Sequence, residues 1–404
     1  MNILFLSVSS FPDLSQHSLS ADLLREFKRN GNNIFIVCAL ESDSFKNTYL
    51  SEEENCKIVR VKIGKNKKAN LIRKGLTFVT EPNNYIKAVQ HYFHDIKFDL
   101  VMYPTPPITQ AKTVAYVKKR DHAHSYLILR DIFPQGGVDI GILSKTGWKK
   151  AVYLYFRGIE KQLYRISDYI GCLSQANVDY IIRNNPEVDI RKIEVCPNSL
   201  EVFDKSVDDT TRKYLREKYQ IPLDKKVFVY GGNLGKPQGI PFLIDCMRSG
   251  SDISEAFFLI VGDGTEYGCI EKYLKQSQQN NLMLLKKLPR EEYDNLVAAC
   301  DVGLIFLDHR FTVPNFPSRL LSYLQAKIPV MAFTDSSTDI GKVIKEGGFG
   351  WWRESNTTDA FLDSIQEALV SDLVLMGDNG FKYLSSHYSV SKQYKTIMSH
   401  FETE

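Results

Sequence analysis

The stretch Lys226–Ser249 constrains this chain more than any other. Val227–Tyr230 is a short apolar, β-branched and aromatic run that reads as a buried strand. It passes straight into a glycine-rich turn, Gly231–Gly239, and then into helical spacing through Ile240, Leu243, Ile244 and Met247. A strand, a glycine turn and a helix N-terminus in succession gather backbone N–H groups around an anion, and Lys236 adds a fixed positive charge. An ordinary βα turn carries the same glycines, so the reading needs a second element. Asn315-Phe316-Pro317-Ser318-Arg319 is a second candidate anion-binding loop, and the two are expected to face one ligand.

The rest of the chain has the same alternation. In the first half, strands are predicted at Asn2–Ser7, Asn33–Leu40, Lys57–Ile63, Asp99–Tyr103, Tyr126–Arg130, Tyr169–Leu173 and Ile193–Cys196. Helical spacing covers Leu19–Asn30, Ile108–Lys119 and Trp148–Ile166. The second half repeats the pattern, with strands at Val227–Tyr230, Ala256–Val261, Leu282–Leu285, Asp301–Leu307 and Pro329–Phe333 and a helix at Asp359–Leu369. Strands alternating with helices imply parallel sheets covered on both faces, with ligands beyond the carboxyl ends of the strands. At 404 residues the chain exceeds one ordinary core. The expectation is an α/β protein of two Rossmann-like, doubly wound domains facing a cleft. Residues 1–200 form the first and 224–380 the second. The charged segment 201–223 is expected as the connection, and 381–404 as a helical segment packing back toward the first domain.

A net charge of +3 is too mild to argue for nucleic-acid binding. No run reaches the length of a membrane-spanning helix, and the apolar start at Ile3–Leu6 reads as a strand rather than a signal peptide. Seven scattered cysteines without a CxxC pair predict reduced thiols in the cytoplasm and no zinc site.

Several stretches together resemble the large family of retaining, GT-B-fold glycosyltransferases of group 1 (family 4 type), above all the bacterial capsule and O-antigen transferases. They are Tyr230–Gly239 (YGGNLGKPQG), Ile260–Thr265 (IVGDGT), Leu288–Asp301 (LPREEYDNLVAACD) and Pro317–Val330 (PSRLLSYLQAKIPV), with Arg130–Pro134 (RDIFP) and Cys196–Ser199 (CPNS) in the first half. The resemblance implies a sugar nucleotide, a UDP-sugar, as donor on the second domain and a hydroxyl acceptor on the first. The donor side would be lined by Gly232, Asn233, Gly235, Lys236, Gly262, Asp263, Gly264, Leu288, Pro289, Ser318, Arg319 and Ser322. Ser18, Arg130 and Asp131 would meet the acceptor.

Lys236 and Arg319 are the cations for a diphosphate, with Pro317-Ser318 as a good helix start. Arg319 as a surface helix residue is the alternative, as is a plain tight turn for Gly262-Asp263-Gly264. Many family members carry two glutamates where this chain has Pro314 and Ser322, and cations where it has Asn233 and Gln238. Ser322 can offer a ribose hydroxyl only a shorter, neutral hydrogen bond.

Asp131 follows an apolar run and reads as a base or acceptor ligand, or as the cap of the next segment, with Arg130 as ion-pair partner or substrate contact. Asp131, Lys236 and Arg319 are the catalytic candidates. No Asp-x-Asp pattern occurs, so metal-independent transfer without a cofactor is expected, with cations and N–H groups neutralising the leaving group. The basic run Lys57–Lys74 could lie on an anionic membrane, which would put the protein at the inner face of the cell membrane, or could be a solvated face. A lipid-linked saccharide acceptor in surface polysaccharide synthesis follows from the resemblance. The alternatives are a sugar-nucleotide epimerase on the same fold and a non-catalytic nucleotide-sugar-binding relative.

Overall fold

The computed structural model describes residues 1–11, 13–40, 47–53, 56–63 and 71–401. The chain divides into two compact units, Met1–Glu201 with Val390–Glu404, and Val202–Ser389.

The first unit contains strands β1 (Asn2–Ser7), β2 (Asn33–Leu40), β3 (Tyr49–Glu53), β4 (Cys56–Lys62), β5 (Leu100–Thr105), β6 (His124–Leu129), β7 (Tyr169–Cys172) and β8 (Ile193–Val195). Its helices are α1 (Leu19–Arg29), α2 (Leu71–Tyr92), α3 (Ala111–Asp121), α4 (Gln135–Asp139), α5 (Lys149–Ile166) and α6 (Gln175–Asn184). The strands form one sheet in the order β3-β4-β2-β1-β5-β6-β7-β8. Every pairing is parallel except β3 with β4. Ile3–Leu6 of β1 are fully enclosed, as near-continuous apolar runs must be when helices cover both faces. The strand order reverses between β1 and β5, which marks the carboxyl ends of those strands as the ligand-binding edge of this sheet. The antiparallel β3 was not foreseen because its Glu52 and Glu53 mask the strand pattern.

The second unit has strands β9 (Lys226–Asn233), β10 (Ala256–Asp263), β11 (Leu282–Lys286), β12 (Val302–Phe306), β13 (Val330–Thr334) and β14 (Gly350–Glu354). Its helices are α7 (Asp209–Lys218), α8 (Ile240–Ser249), α9 (Tyr267–Ser277), α10 (Arg290–Ala298), α11 (Arg319–Gln325), α12 (Ile340–Gly347), α13 (Thr358–Val370) and α14 (Leu373–His387). The sheet is wholly parallel in the order β11-β10-β9-β12-β13-β14, so its reversal lies between β9 and β12.

One segment differs from expectation. Residues 201–223 carry the regular helix α7, not merely a connection. Asp208 caps α7 by accepting from the Thr211 N–H at 2.7 Å. Arg212 and Arg216 then pair with the buried Asp301 at 2.9 and 2.6 Å. A charged sequence looks like a linker until its partner carboxylate is brought beside it.

The terminal helix α15 (Val390–Met398) belongs to the first unit, where Tyr394, Ile397 and Met398 join the core of α1 and the sheet. The Tyr394 ring meets Phe27 edge-on at 4.8 Å.

Candidate functional site

The second unit builds its site at the reversal of strand order. Strand β9 runs further than expected, through Gly231 and Gly232 to Asn233, and stays in register with β10 to its end, Gly232 opposite Gly262 and Asn233 opposite Asp263. The two glycine loops are packed backbone to backbone. A Cβ on Gly262 would fall 2.0 Å from the Gly232 carbonyl oxygen, and one on Gly264 would fall 2.4 Å from that of Leu234. Leu234 N–H donates to the Asp263 carbonyl at 2.9 Å and Glu266 N–H to the Leu234 carbonyl at 2.8 Å. Gly232 has φ +120°, a conformation in which a side chain is strained. Asn233 and Gln238 stiffen the loop. Gln238 Oε1 accepts from Asn233 Nδ2 and from the Gly235 N–H, both at 3.2 Å.

Arg319, at the start of α11, lies against this loop. Its guanidinium sits over the Tyr230 ring, 4.4 Å from the centroid, and Nη2 is 3.6 Å from where a Gly232 Cβ would be. Nη1 is buried without a hydrogen-bond partner. No carboxylate pairs with Arg319 among the described residues. Its aromatic neighbours are neutral phenols: burial raises the pKa of Tyr230, pushes Tyr293 up to about 12 and raises Tyr323 well above the ordinary range. Arg319 is half-buried, and a partly desolvated cation without a counter-charge is costly; an anion at the glycine loop would relieve that cost.

The three tyrosines are what sequence reasoning missed. Tyr323 donates to the Leu304 carbonyl at 3.1 Å and accepts from the Gly231 N–H at 3.2 Å, bridging β12 and β9. Tyr293 fills the space beside Gly231, where a Cβ would fall 1.8 Å from its hydroxyl. A glycine pair following a strand-end tyrosine was the available signal, but the rings come from three separate segments.

The other donor-side candidates are placed as follows. Lys236 is exposed and forms no ion pair among the described residues. Asp263 turns its carboxylate onto the Gly264 N–H at 2.8 Å. Leu288 and Pro289 lead into α10, which carries Tyr293. Ser322 is half-buried. Ser318 departs from expectation: it already has helical backbone angles and its side chain makes no capping hydrogen bond. With Pro317 in front and no extended residue at the cap position, its hydroxyl is not turned back onto the helix.

In the first unit, Ser18 caps α1, accepting from the Ala21 N–H at 3.1 Å. Arg130, just past β6, donates to Ser20 Oγ at 3.2 Å, so the start of α1 and the end of β6 meet. Burial lowers the Arg130 pKa to about 10, against the attraction of Asp131, and its Nε has no partner. Arg130 and Asp131 do not form the ion pair considered from the sequence. Asp131 is accessible to solvent, yet enough protein surrounds it that desolvation raises its pKa, with Arg130 opposing.

His17, Asp22 and Glu201 converge closely enough to suggest a metal cluster. Arg25 fills the space between them, with Nη2 bonded to Asp22, to Glu201 Oε2 at 2.8 Å and to His17 Nδ1 at 2.9 Å, so the group is an ion-pair network. The basic run Lys57–Lys74 is split. Lys57 pairs with Glu52 at 3.2 Å and Arg60 lies over the Tyr49 ring, whereas residues 64–70 lie outside the described residues.

A parallel-dominant sheet covered by helices in each unit is the architecture of the GT-B glycosyltransferases. The chain has that fold: sucrose-phosphate synthase from Thermosynechococcus elongatus superposes with a TM-score of 0.75 at 14% identity, over 99% of this chain and 98% of that one. Anabaena HepE, solved in complex with UDP, does so with a TM-score of 0.68 at 15% identity, over 99% of both chains.

Residues 211–376, most of the second unit, match the family "Glycosyl transferases group 1". Two relatives are similar over most of their length. WbjE of Pseudomonas aeruginosa, named as a glycosyltransferase, is 24% identical over 81% of this chain and 80% of its own. WcaI of Escherichia coli strain K12, named for glycosyl transfer in colanic acid biosynthesis, is 22% identical over 74% and 70%. Among the described residues no helix is long and apolar enough to cross a membrane.

Proposed function

We propose that this chain transfers a hexosyl or N-acetylhexosaminyl group from a UDP-sugar to a hydroxyl of a lipid-linked saccharide, with retention, in the synthesis of a bacterial surface polysaccharide such as capsule or O-antigen. One observation carries the donor side: the half-buried guanidinium of Arg319, with no carboxylate partner among the described residues and with Nη1 buried and without a hydrogen-bond partner, against the Gly232 loop. UDP-bound and UDP-glucose-bound HepE structures share the fold, and the two relatives are named as glycosyltransferases, one of them for colanic acid biosynthesis, which supports the nucleotide and the product class.

In this reaction the bond from the anomeric carbon to the diphosphate breaks and a bond to the acceptor oxygen forms. The acceptor hydroxyl loses its proton, and UDP leaves with the bonding electrons. Arg319 and Lys236 stabilise the negative charge that grows on the diphosphate. Asp131 serves the acceptor, as proton acceptor or hydroxyl ligand.

The test is UDP titration by calorimetry, followed by turnover of a UDP-sugar panel with and without a lipid-linked acceptor, and NMR of the product anomer. Donor consumption without acceptor would mean an epimerase. UDP binding without turnover would mean a binding relative. Asp131→Asn should cut turnover and leave UDP affinity unchanged; loss of UDP binding in that variant would remove Asp131 from the acceptor side.

A further inference from the structure

An arginine side chain has many rotamers, so a guanidinium that meets an anion in one place needs something to hold it there. A carboxylate commonly does this, and it neutralises the charge in doing so. Arg319 has no carboxylate partner among the described residues, and its Nη1 is buried without a hydrogen-bond partner. What it does have is a ring. The guanidinium carbon lies over Tyr230, 4.4 Å from the centroid, with Nη2 3.6 Å from the place a Gly232 Cβ would take. A ring face attracts a cation through its quadrupole and brings no full negative charge. The arginine is held while its charge stays available to a ligand.

Tyr230 is itself firmly fixed. It is fully buried on β9, in register with Ile260 of β10 on one side and Leu304 of β12 on the other, at the reversal of strand order. Its ring packs against Phe306 with 6.2 Å between centroids, and its hydroxyl donates to the Asn233 carbonyl at 3.0 Å. One side chain therefore touches both parts of the candidate anion site. The ring meets Arg319, and the hydroxyl holds the end of the glycine turn. Without the ring the half-buried guanidinium could swing toward water, and every binding event would have to order it again.

We infer that Tyr230 is a positioning residue for the donor diphosphate, its ring face holding Arg319 in place while leaving the guanidinium free to bind the anion. This role depends on the donor-side reading given above, and adds to it a residue that acts through Arg319 without touching the nucleotide.

The experiment is UDP titration of the full chain by calorimetry, with position 230 varied at nearly constant shape. Tyr230→Phe removes the bond to Asn233 and retains the ring, so UDP affinity should stay within about threefold of wild type. Phenylalanines carrying one, two or three ring fluorines at position 230 drain negative charge from the ring face. Affinity should fall stepwise along that series, ending about three- to thirtyfold below Tyr230→Phe, the range a cation–ring contact supplies from exposed to desolvated sites. Melting temperature should stay level across the series, which separates the ring's charge from its packing in the core. In an Arg319→Ala background, where Lys236 remains to bind UDP more weakly, the same series should be flat.

UDP binding that Arg319→Ala weakens but ring fluorination does not alter would overturn this role and leave the donor-side reading standing. A stepwise loss that persists in Arg319→Ala would also overturn it, by placing the ring against the ligand itself. A wild-type chain that binds no UDP, or binding unaltered in Arg319→Ala, would remove the donor-side reading of Arg319 and the role of Tyr230 with it.

Discussion

At the scale of single residues, Arg319 is the group whose surroundings ask for a ligand. Charge-assisted hydrogen bonds to an enclosed anion contribute about 1.5–3 kcal/mol each, so Arg319→Ala should weaken UDP binding or turnover by roughly ten- to a hundredfold. Arg319→Lys should recover only part, because an ammonium cannot both stack on Tyr230 and fork toward two oxygens. Calorimetry on the folded variants checks this, and wild-type UDP affinity in Arg319→Ala would remove the residue from the site. Glu81, by contrast, is a buried residue of the first unit with consequences for stability. Burial pushes its carboxyl from 4.5 to about 7, against hydrogen bonds from Gln110 Nε2 at 2.8 Å and Thr109. Between those pH values the folded chain holds a proton that the unfolded chain releases. Stability therefore falls as pH rises through this window, by about 3 kcal/mol from this group. Glu81→Gln should be more stable relative to wild type at pH 8 than at pH 5 in thermal unfolding, and an equal difference at both would refute the assignment.

At the scale of elements, the two glycine turns behave as one unit because β9 and β10 remain paired to their last residues. Gly262→Ala would drive a methyl against the Gly232 carbonyl, and backbone cannot rotate aside as a side chain can. The expected cost is about 1–3 kcal/mol, with reduced UDP affinity although Gly262 need not touch the ligand. Melting temperature and calorimetry should fall together. A destabilised variant with unaltered affinity would show that the second loop does not shape the first.

At the scale of the whole molecule, the chain leaves the first unit at Glu201 and re-enters it at Val390. Truncation before Val390 would expose Phe27 and its neighbours on α1, now covered by Tyr394, Ile397 and Met398. Each large apolar side chain removed from that contact represents about 1.5–3 kcal/mol. Limited proteolysis of the truncated chain should open the first unit and spare Val202–Ser389. Equal cleavage of both units would contradict this division. The proposed reaction makes a prediction at the same scale: turnover should survive excess EDTA. Restoration of a chelator-inactivated enzyme by magnesium or manganese would replace the cationic clamp with a metal.

What the sequence determined by itself is local. Apolar runs of strand length, glycines after Tyr230 and helical spacing between them require only neighbours in the chain, so the alternating α/β pattern and the Gly231–Gly239 turn were legible. The strand β14 was not, because Gly350-Trp351-Trp352-Arg353-Glu354 has no clear alternation and is recruited by pairing with β13. The helix α7 read as a charged connection, since the carboxylate that its arginines pair with, Asp301, lies far along the chain. Arg319 was marked from its motif as a cation for a phosphate, but its partial burial was not visible there. That depends on Tyr230, Tyr293 and Tyr323 arriving from a strand and two helices, and on Gly231 and Gly232 leaving room for them. A side chain's solvation and lack of a counter-charge are properties of its neighbours in space, and only the tertiary structure decides those.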